Sequence, residues 1–272
     1  MEVGPRDGLQ SVTWQVPTDT KVAFVDALSS SGLTDIEVSS FVSPRWVPQL
    51  ADAEAVFAGI TRRPGVRYWA LVPNLQGLER AHAARVDGVA VFTAASERFS
   101  RNNTNATISE TLERFRPVVR AATVPVRGYV STAFSCPFEG PIAPEAVRRV
   151  ALDLLALGCS EVSLGDTIGQ ATPDQVRTLI SLLARDIPVD VLALHCHDTF
   201  GQAVANVLAG AELGVRTFDG SAGGIGGCPY APGAPGNVAT EALVAAFPGR
   251  TGIDPAVLRE AGAAIRRAMG SA

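Results

Sequence analysis

His195 and His197, in the segment LHCHDTFGQ, are two of only three histidines in the chain. Side chains two apart on a strand point the same way, so the two imidazoles share one face and Cys196 takes the other. Such a pair is either a hydrogen-bonded structural pair or the heart of a metal site. Further polar groups stand where strands are expected to end: Arg6, Asp7 and Gln10 in GPRDGLQ, Glu37 in DIEVSS, Ser163 and Asp166 in VSLGDTIG, and Asn237. If Asp7 and Asn237 meet the two histidines, the set has two nitrogen and two oxygen ligands with room for water. No thiolate is among them, which favours Mg²⁺ or Mn²⁺ over structural zinc. Arg6 beside Asp7 is worth little as a surface ion pair, but next to a cation it reads as an anion stabiliser. Glu37 reads as a site carboxylate or as a structural acceptor.

The stretch GSAGGIGGCPYAPGAPGN, residues 220–237, is the second feature with chemical content. A loop of this length in a compact domain is usually functional. Its glycines do not make a dinucleotide fingerprint, because Pro229, Pro232 and Pro235 fall where the helix should open. It reads as a lid that carries Cys228. Free cysteine is most often a small buried hydrophobe, yet a glycine- and proline-rich loop is a poor place to bury one, so Cys228 reads as a reactive thiol. Cys136, Cys159 and Cys196 keep the buried reading, and His82 reads as a helix-face residue without chemistry.

These groups need elements to hold them. Short β-branched runs at 2–3, 35–38, 67–72, 88–92, 126–131, 161–164, 189–195 and 215–219 alternate with helical patterns at 18–31, 47–59, 75–85, 105–122, 144–157, 173–185, 201–213 and 237–246. That alternation predicts a parallel sheet, and eight units predict a closed (β/α)₈ TIM barrel, with a doubly wound open sheet as the alternative. A stretch at 254–269 predicts one extra C-terminal helix. Without a dividing linker, residues 1–272 read as one domain. In such a barrel the carboxyl ends of the strands converge on one mouth, where active sites are built.

Composition narrows the function further. Over 272 residues, 47% are hydrophobic and 18% charged, which excludes a disordered chain, and the net charge of −4 gives no basic surface for nucleic acid. No apolar run is long enough for a membrane span. Met1 runs straight into the first motif, so no signal peptide is expected, and unpaired cysteines suit a reducing, cytoplasmic setting. Lys21 is the single lysine. It falls on the helical pattern after Pro17 and reads as a solvated surface charge, which disfavours Schiff-base chemistry.

The motifs MEVGPRDGLQ, SSFVSPRWVPQLAD, RGYVS, CPFEG, SLGDTIG, HCHDTFGQA and GGCPYAPGAPGNVATE together resemble the 3-hydroxy-3-methylglutaryl-CoA lyase family. These barrel metallolyases are related to isopropylmalate and homocitrate synthases. The resemblance implies a divalent cation held by Asp7, His195, His197 and Asn237, with no organic cofactor. It implies that Arg6 stabilises an enolate, that Cys228 is the catalytic loop cysteine, and that Asp7 and His195 can act as bases. Glu37, Ser163 and Asp166 would lie in or beside the site, with Gln10, Ser163 and Asp166 on the substrate side. The implied reaction is cleavage of 3-hydroxy-3-methylglutaryl-CoA to acetyl-CoA and acetoacetate by a homodimer acting on an acyl-CoA. The alternatives are a homologue acting on another 3-hydroxy-3-alkylglutaryl-CoA, a condensing enzyme of the same superfamily, and a non-catalytic barrel. Ser11, Val12, Thr13 and Trp14 depart from the family pattern at the expected entrance, which motivates the first of these. Cys228 argues against the second.

Overall fold

The computed structural model describes residues 1–227 and 236–270. Its main sheet holds β1 (Asp35–Ser40), β2 (Arg67–Leu71), β3 (Gly88–Ala94), β4 (Val126–Ser131), β5 (Glu161–Asp166), β6 (Leu192–Cys196) and β7 (Thr217–Asp219). Their order in the sheet is their order in the chain, and all neighbours are parallel. Parallel neighbours require long crossovers. Those crossovers carry α2 (Ala53–Gly59), α3 (Leu75–Ala83), α4 (Glu97–Thr104), α5 (Ile108–Ala121), α6 (Pro144–Leu157), α7 (Pro173–Leu183) and α8 (Ala203–Glu212). The helix α1 (Thr18–Ser29) precedes β1, while α9 (Thr240–Ala246) and α10 (Pro255–Gly270) follow β7.

The eighth stave is a single residue. Glu2 forms parallel bridges to Ile36 and to Gly220, so it joins the first strand to the end of the last. The Glu2 N–H donates to Asp35 O at 2.9 Å, the Glu37 N–H to Glu2 O at 2.8 Å, and the Val3 N–H to Gly220 O at 2.9 Å. A strand was expected at Glu2-Val3. It stops at once because Gly4–Gly8 winds into a π-turn, and Pro5 has no N–H for a ladder. The barrel is nonetheless closed, as the alternation predicts.

Strands wrapped by helices outside and by each other inside are buried on both faces, which is why they read as continuous apolar runs. Val89, Val91, Val130, Val162, Leu164, Leu192 and Leu194 have no exposed surface. Helix boundaries follow their caps. Thr172 and Gln175 form a capping box at the start of α7, and Gly158 ends α6 at φ 115°, a conformation that glycine adopts without strain.

Three expectations need correction. The helix expected over 47–59 is a short 3₁₀ turn, Pro48–Leu50, followed by α2. The helix expected from 105 starts after Thr107, which makes a capping box with Glu110. It is preceded by α4, whose sequence ERFSRNNT holds one apolar residue, Phe99, and so offers no apolar stripe to be read. Lys21 is not a solvated charge but 2% exposed. The segment after β1 folds over α1, so Lys21 pairs with Asp52 at 2.7 Å and donates to the Gln49 carbonyl. Gln49 in turn holds the 12–16 segment: its Nε2 donates to Trp14 O at 2.6 Å and Val12 O at 3.3 Å, and its Oε1 accepts from Val16 N–H at 3.0 Å. No helix among the described residues is long and apolar enough to cross a membrane.

Candidate active site

The π-turn that cuts the first strand short also presents Arg6 and Asp7. Val3 O accepts from both Asp7 N–H, at 2.7 Å, and Gly8 N–H, at 3.2 Å. This wide turn swings two consecutive side chains over the carboxyl ends of the strands, and turns of this kind gather at functional sites. Gly8 makes the turn possible: a Cβ there would lie 2.7 Å from Ile225 Cγ1 and 2.9 Å from Ser221 Oγ.

Asp7 is the centre of the polar cluster. Its Oδ1 accepts from Arg6 Nη1 at 2.5 Å and from Gln10 Nε2 at 2.7 Å, and its Oδ2 accepts from Asn237 Nδ2 at 2.8 Å. His195 Nε2 lies 4.0 Å from that same Oδ2. His195 sits near the end of β6, in register with Gly165 and Asp219. His197 follows it and bridges antiparallel to Asn237, which brings residue 237 to the imidazole pair across 40 positions of sequence. The two rings stand 5.4 Å apart. Ligand atoms of Asp7, His195 and His197 all lie within 4.8 Å of one another.

The donor set fits a divalent cation. His197 Nδ1 is buried with no hydrogen-bond partner among the described residues, a costly state for a polar atom. Burial works to raise the Asp7 carboxyl, but Arg6 and the two imidazoles outweigh it and hold it near 2. Burial, and then the charge of His195, push His197 down to about 4. At neutral pH the cluster therefore offers an anionic carboxylate and a neutral imidazole, the forms that bind metal.

Arg6 is itself fixed. Its Nε and Nη2 both reach Glu37 Oε2 at 2.6 Å, and its guanidinium stands 5.4 Å from the Tyr129 ring centroid. Tyr129 donates its hydroxyl to the same Glu37 oxygen at 3.2 Å. Burial raises the Glu37 carboxyl even against the pull of Arg6. Glu37 therefore touches the site through Arg6, joining the two readings made of it.

The remaining expected residues divide. Gln10 reaches the cluster, at its exposed edge. Ser163 lies within β5 rather than at its end; it is fully buried and donates to Asp219 Oδ2 at 3.0 Å. Asp166 does end β5, but its carboxylate accepts from Gln170 N–H at 3.0 Å and Ala171 N–H at 3.1 Å, bracing the loop that follows. Burial lifts it to about 6. Neither joins the Asp7 cluster directly. Cys228 lies outside the described residues. Cys136, Cys159 and Cys196 are buried, as expected.

Three residues of the site escaped the sequence reading: Tyr129, Arg127 and Asp219. Arg127 and Tyr129 alternate on β4 in VRGYVS, and a charged residue inside an otherwise apolar strand was the available signal. Asp219 is the last residue of β7, so the strand-end rule that found Glu37 would have found it too.

A closed α/β barrel whose strand ends carry a carboxylate–imidazole cluster beside a buried guanidinium is the class that this fold and site define. More narrowly, the chain belongs to the HMGL-like family, whose model matches residues 1–265. It is 52% identical over 277 residues to a hydroxymethylglutaryl-CoA lyase of Pseudomonas mevalonii, covering 100% of this chain and 92% of that one. Its fold superposes on the HMG-CoA lyase of Brucella melitensis with a TM-score of 0.96 at 48% identity, covering 99% of both chains. A similar match, TM-score 0.92 at 39% identity over 99% of this chain and 90% of that one, is to an HMG-CoA lyase from Acenitobacter baumannii in complex with coenzyme A and 3-methylmalate.

Proposed function

We propose that this protein is a divalent-cation-dependent lyase that cleaves 3-hydroxy-3-methylglutaryl-CoA to acetyl-CoA and acetoacetate. The observation that carries the reading is the Asp7–His195–His197 cluster with Arg6 bonded to Asp7, on a chain half identical over its full length to lyases of that name. Asp7, His195, His197 and Asn237 would hold the cation, Asn237 through its amide oxygen. Mg²⁺ or Mn²⁺ suits this thiolate-free set of two oxygens and two imidazole nitrogens, with room for water. When bound, it supplies Lewis acidity toward the substrate's tertiary hydroxyl and carboxylate oxygens.

The chain's own groups do the rest. Asp7, whose carboxylate has a second oxygen, takes the proton from the C3 hydroxyl, since His195 Nε2 is committed to the cation. The C2–C3 bond breaks as the C3 carbonyl of acetoacetate forms, and the bonding pair passes to the thioester as an enolate. Arg6, held rigid by Glu37, places a fixed cation where that charge develops. Cys228 returns a proton to C2, completing acetyl-CoA. Gln10 supports Asp7 at the rim, while Ser163 and Asp166 serve the site by bracing its walls. A homodimer in the cytoplasm completes the proposal.

Incubation of Mg²⁺- or Mn²⁺-loaded protein with a panel of 3-hydroxyacyl-CoA thioesters, with and without chelator, tests it. Acetyl-CoA and acetoacetate should form from the methylglutaryl thioester and stop on chelation. Full turnover in metal-free protein would sink the cation assignment, and preference for another thioester would reassign the substrate.

A further inference from the structure

Behind the cluster lies a buried group that the proposed reaction does not use. Asp219 ends β7 with its carboxylate 1% exposed and turned into the barrel. Among the described residues its carboxylate meets two donors and one imidazole nitrogen. Arg127 Nη2 donates to Oδ1 at 2.6 Å, Ser163 Oγ donates to Oδ2 at 3.0 Å, and His195 Nδ1 lies 3.2 Å from that Oδ2. Arg127 has no exposed surface at all. A buried guanidinium next to a carboxylate keeps that carboxylate ionised, and an ionised carboxylate only accepts hydrogen bonds. In the neutral ring, Nδ1 of His195 must then carry the single proton. The opposite nitrogen, Nε2, is the one that faces Asp7 Oδ2 at 4.0 Å.

We propose that Asp219 is the positioning residue of this site: it keeps the His195 proton on Nδ1, so that Nε2 turns a bare lone pair toward Asp7 and His197. Arg127 and Ser163 hold Asp219 at the angle this requires. The chain thereby spends its one fully buried arginine on the orientation of a single imidazole. Partners of this kind stabilise one tautomer and one ring orientation, and their loss typically costs about 10–100-fold in metal affinity. The inference rests on the cation reading above only for its affinity arm; the tautomer can be read without any metal.

With three histidines in the chain, ¹⁵N-histidine labelling gives three ring spin systems, assigned by His82→Gln and His197→Gln. In metal-free wild-type protein at pH 9, long-range ¹H–¹⁵N spectra should find His195 protonated on Nδ1 and bare on Nε2. A proton on Nε2 overturns the inference. Asp219→Asn places an amide where the carboxylate was, and should move the ring toward the Nε2–H form. It should also weaken Mn²⁺ binding, followed through the electron paramagnetic resonance of free Mn²⁺, by about 10–100-fold. Asp219→Asn also takes from Arg127 its nearer carboxylate and leaves it Glu161 at 3.2 Å, so the double variant Arg127→Gln/Asp219→Asn is the control. If Asp219 positions His195, the double variant keeps both the tautomer change and the affinity loss. If Asp219 only neutralises Arg127, the double variant regains wild-type affinity and the inference falls. Wild-type protein that binds no Mn²⁺ defeats the cation reading instead, and leaves the tautomer measurement to decide the role of Asp219.

Discussion

Arg6 is clamped by Glu37, Asp7 and the face of Tyr129, all drawn from different parts of the chain. A guanidinium with no freedom to relax does not have to reorganise when negative charge appears beside it, which is the condition for large electrostatic rate effects. Arg6→Met should therefore leave the barrel folded by circular dichroism and lower kcat by about 10²–10³-fold; a loss under tenfold at saturating substrate would remove Arg6 from the reaction. Gly226 offers a second test. It adopts φ 98°, and a Cβ there would lie 2.8 Å from Asn237 Nδ2 and 2.9 Å from Gly8 Cα. Gly226→Ala should push Asn237 off Asp7, destabilise the fold by more than about 1 kcal/mol, and weaken Mn²⁺ binding in a direct titration. The thiols make a third. Burial pushes Cys159 up to about 12 and Cys196 well above its ordinary value, and Cys136 is equally hidden. Mass mapping after brief alkylation should find Cys228 modified first, with activity lost in step and substrate protecting; prior labelling of another cysteine would remove the catalytic thiol from Cys228. The first residues of this site were legible because histidine, arginine and aspartate are scarce in apolar strands. Asp219 and Arg127 are of the same scarce types, but nothing local in the sequence says that they meet across 92 positions or that Asp219 reaches His195.

At the scale of elements, the helices and strands announced themselves where periodicity and caps agreed. The capping boxes at Thr172 and Thr107 and the glycine at 158 mark real boundaries. Legibility failed where a contact distant in sequence decided the outcome. Lys21 sits on α1 at a position that local pattern assigns to solvent, and only the later segment 48–52 buries it. The same segment supplies Gln49, whose side chain is the anchor for Val12, Trp14 and Val16. Gln49→Ala removes three backbone bonds worth about 1 kcal/mol each, so thermal unfolding should show a loss of about 2–3 kcal/mol. Because Val12 and Trp14 pack against the core a few residues after the π-turn that bears Arg6 and Asp7, the variant should also raise KM for the acyl-CoA more than it lowers kcat. An unchanged KM would detach the 12–16 segment from substrate binding.

The whole barrel turns on Glu2. Its Oε1 accepts from Gly4 N–H at 2.7 Å and Ala222 N–H at 3.0 Å, and its Oε2 from Thr240 Oγ1 at 2.7 Å. Full burial lifts its carboxyl from 4.5 to about 7 against those bonds. Between pH 4.5 and 7 the folded state thus holds a proton that the unfolded chain has released. This contribution is complete below about pH 4.5 and is lost as pH rises through 7, a change of about 3 kcal/mol. Denaturant unfolding at pH 5.5 and 8.5 should show wild type losing more stability across that range than Glu2→Gln, which carries no titrating group. Equal losses in the two proteins would place the Glu2 titration elsewhere.

Closure through Glu2 also sets the timing of assembly. The bond from Val3 N–H to Gly220 O links positions 217 residues apart, and the π-turn bearing Arg6 and Asp7 begins at the very next residue. The earliest-synthesised stave can be locked only after the last strand has emerged, and the reactive pair hangs from that lock. Arg6 and Asp7 are therefore brought to the histidines by the same event that seals the cylinder. During refolding, exchange protection at Val3 and Gly220 and recovery of Mn²⁺ binding should share one rate constant, so that no partly wound chain catalyses the reaction ahead of the finished one.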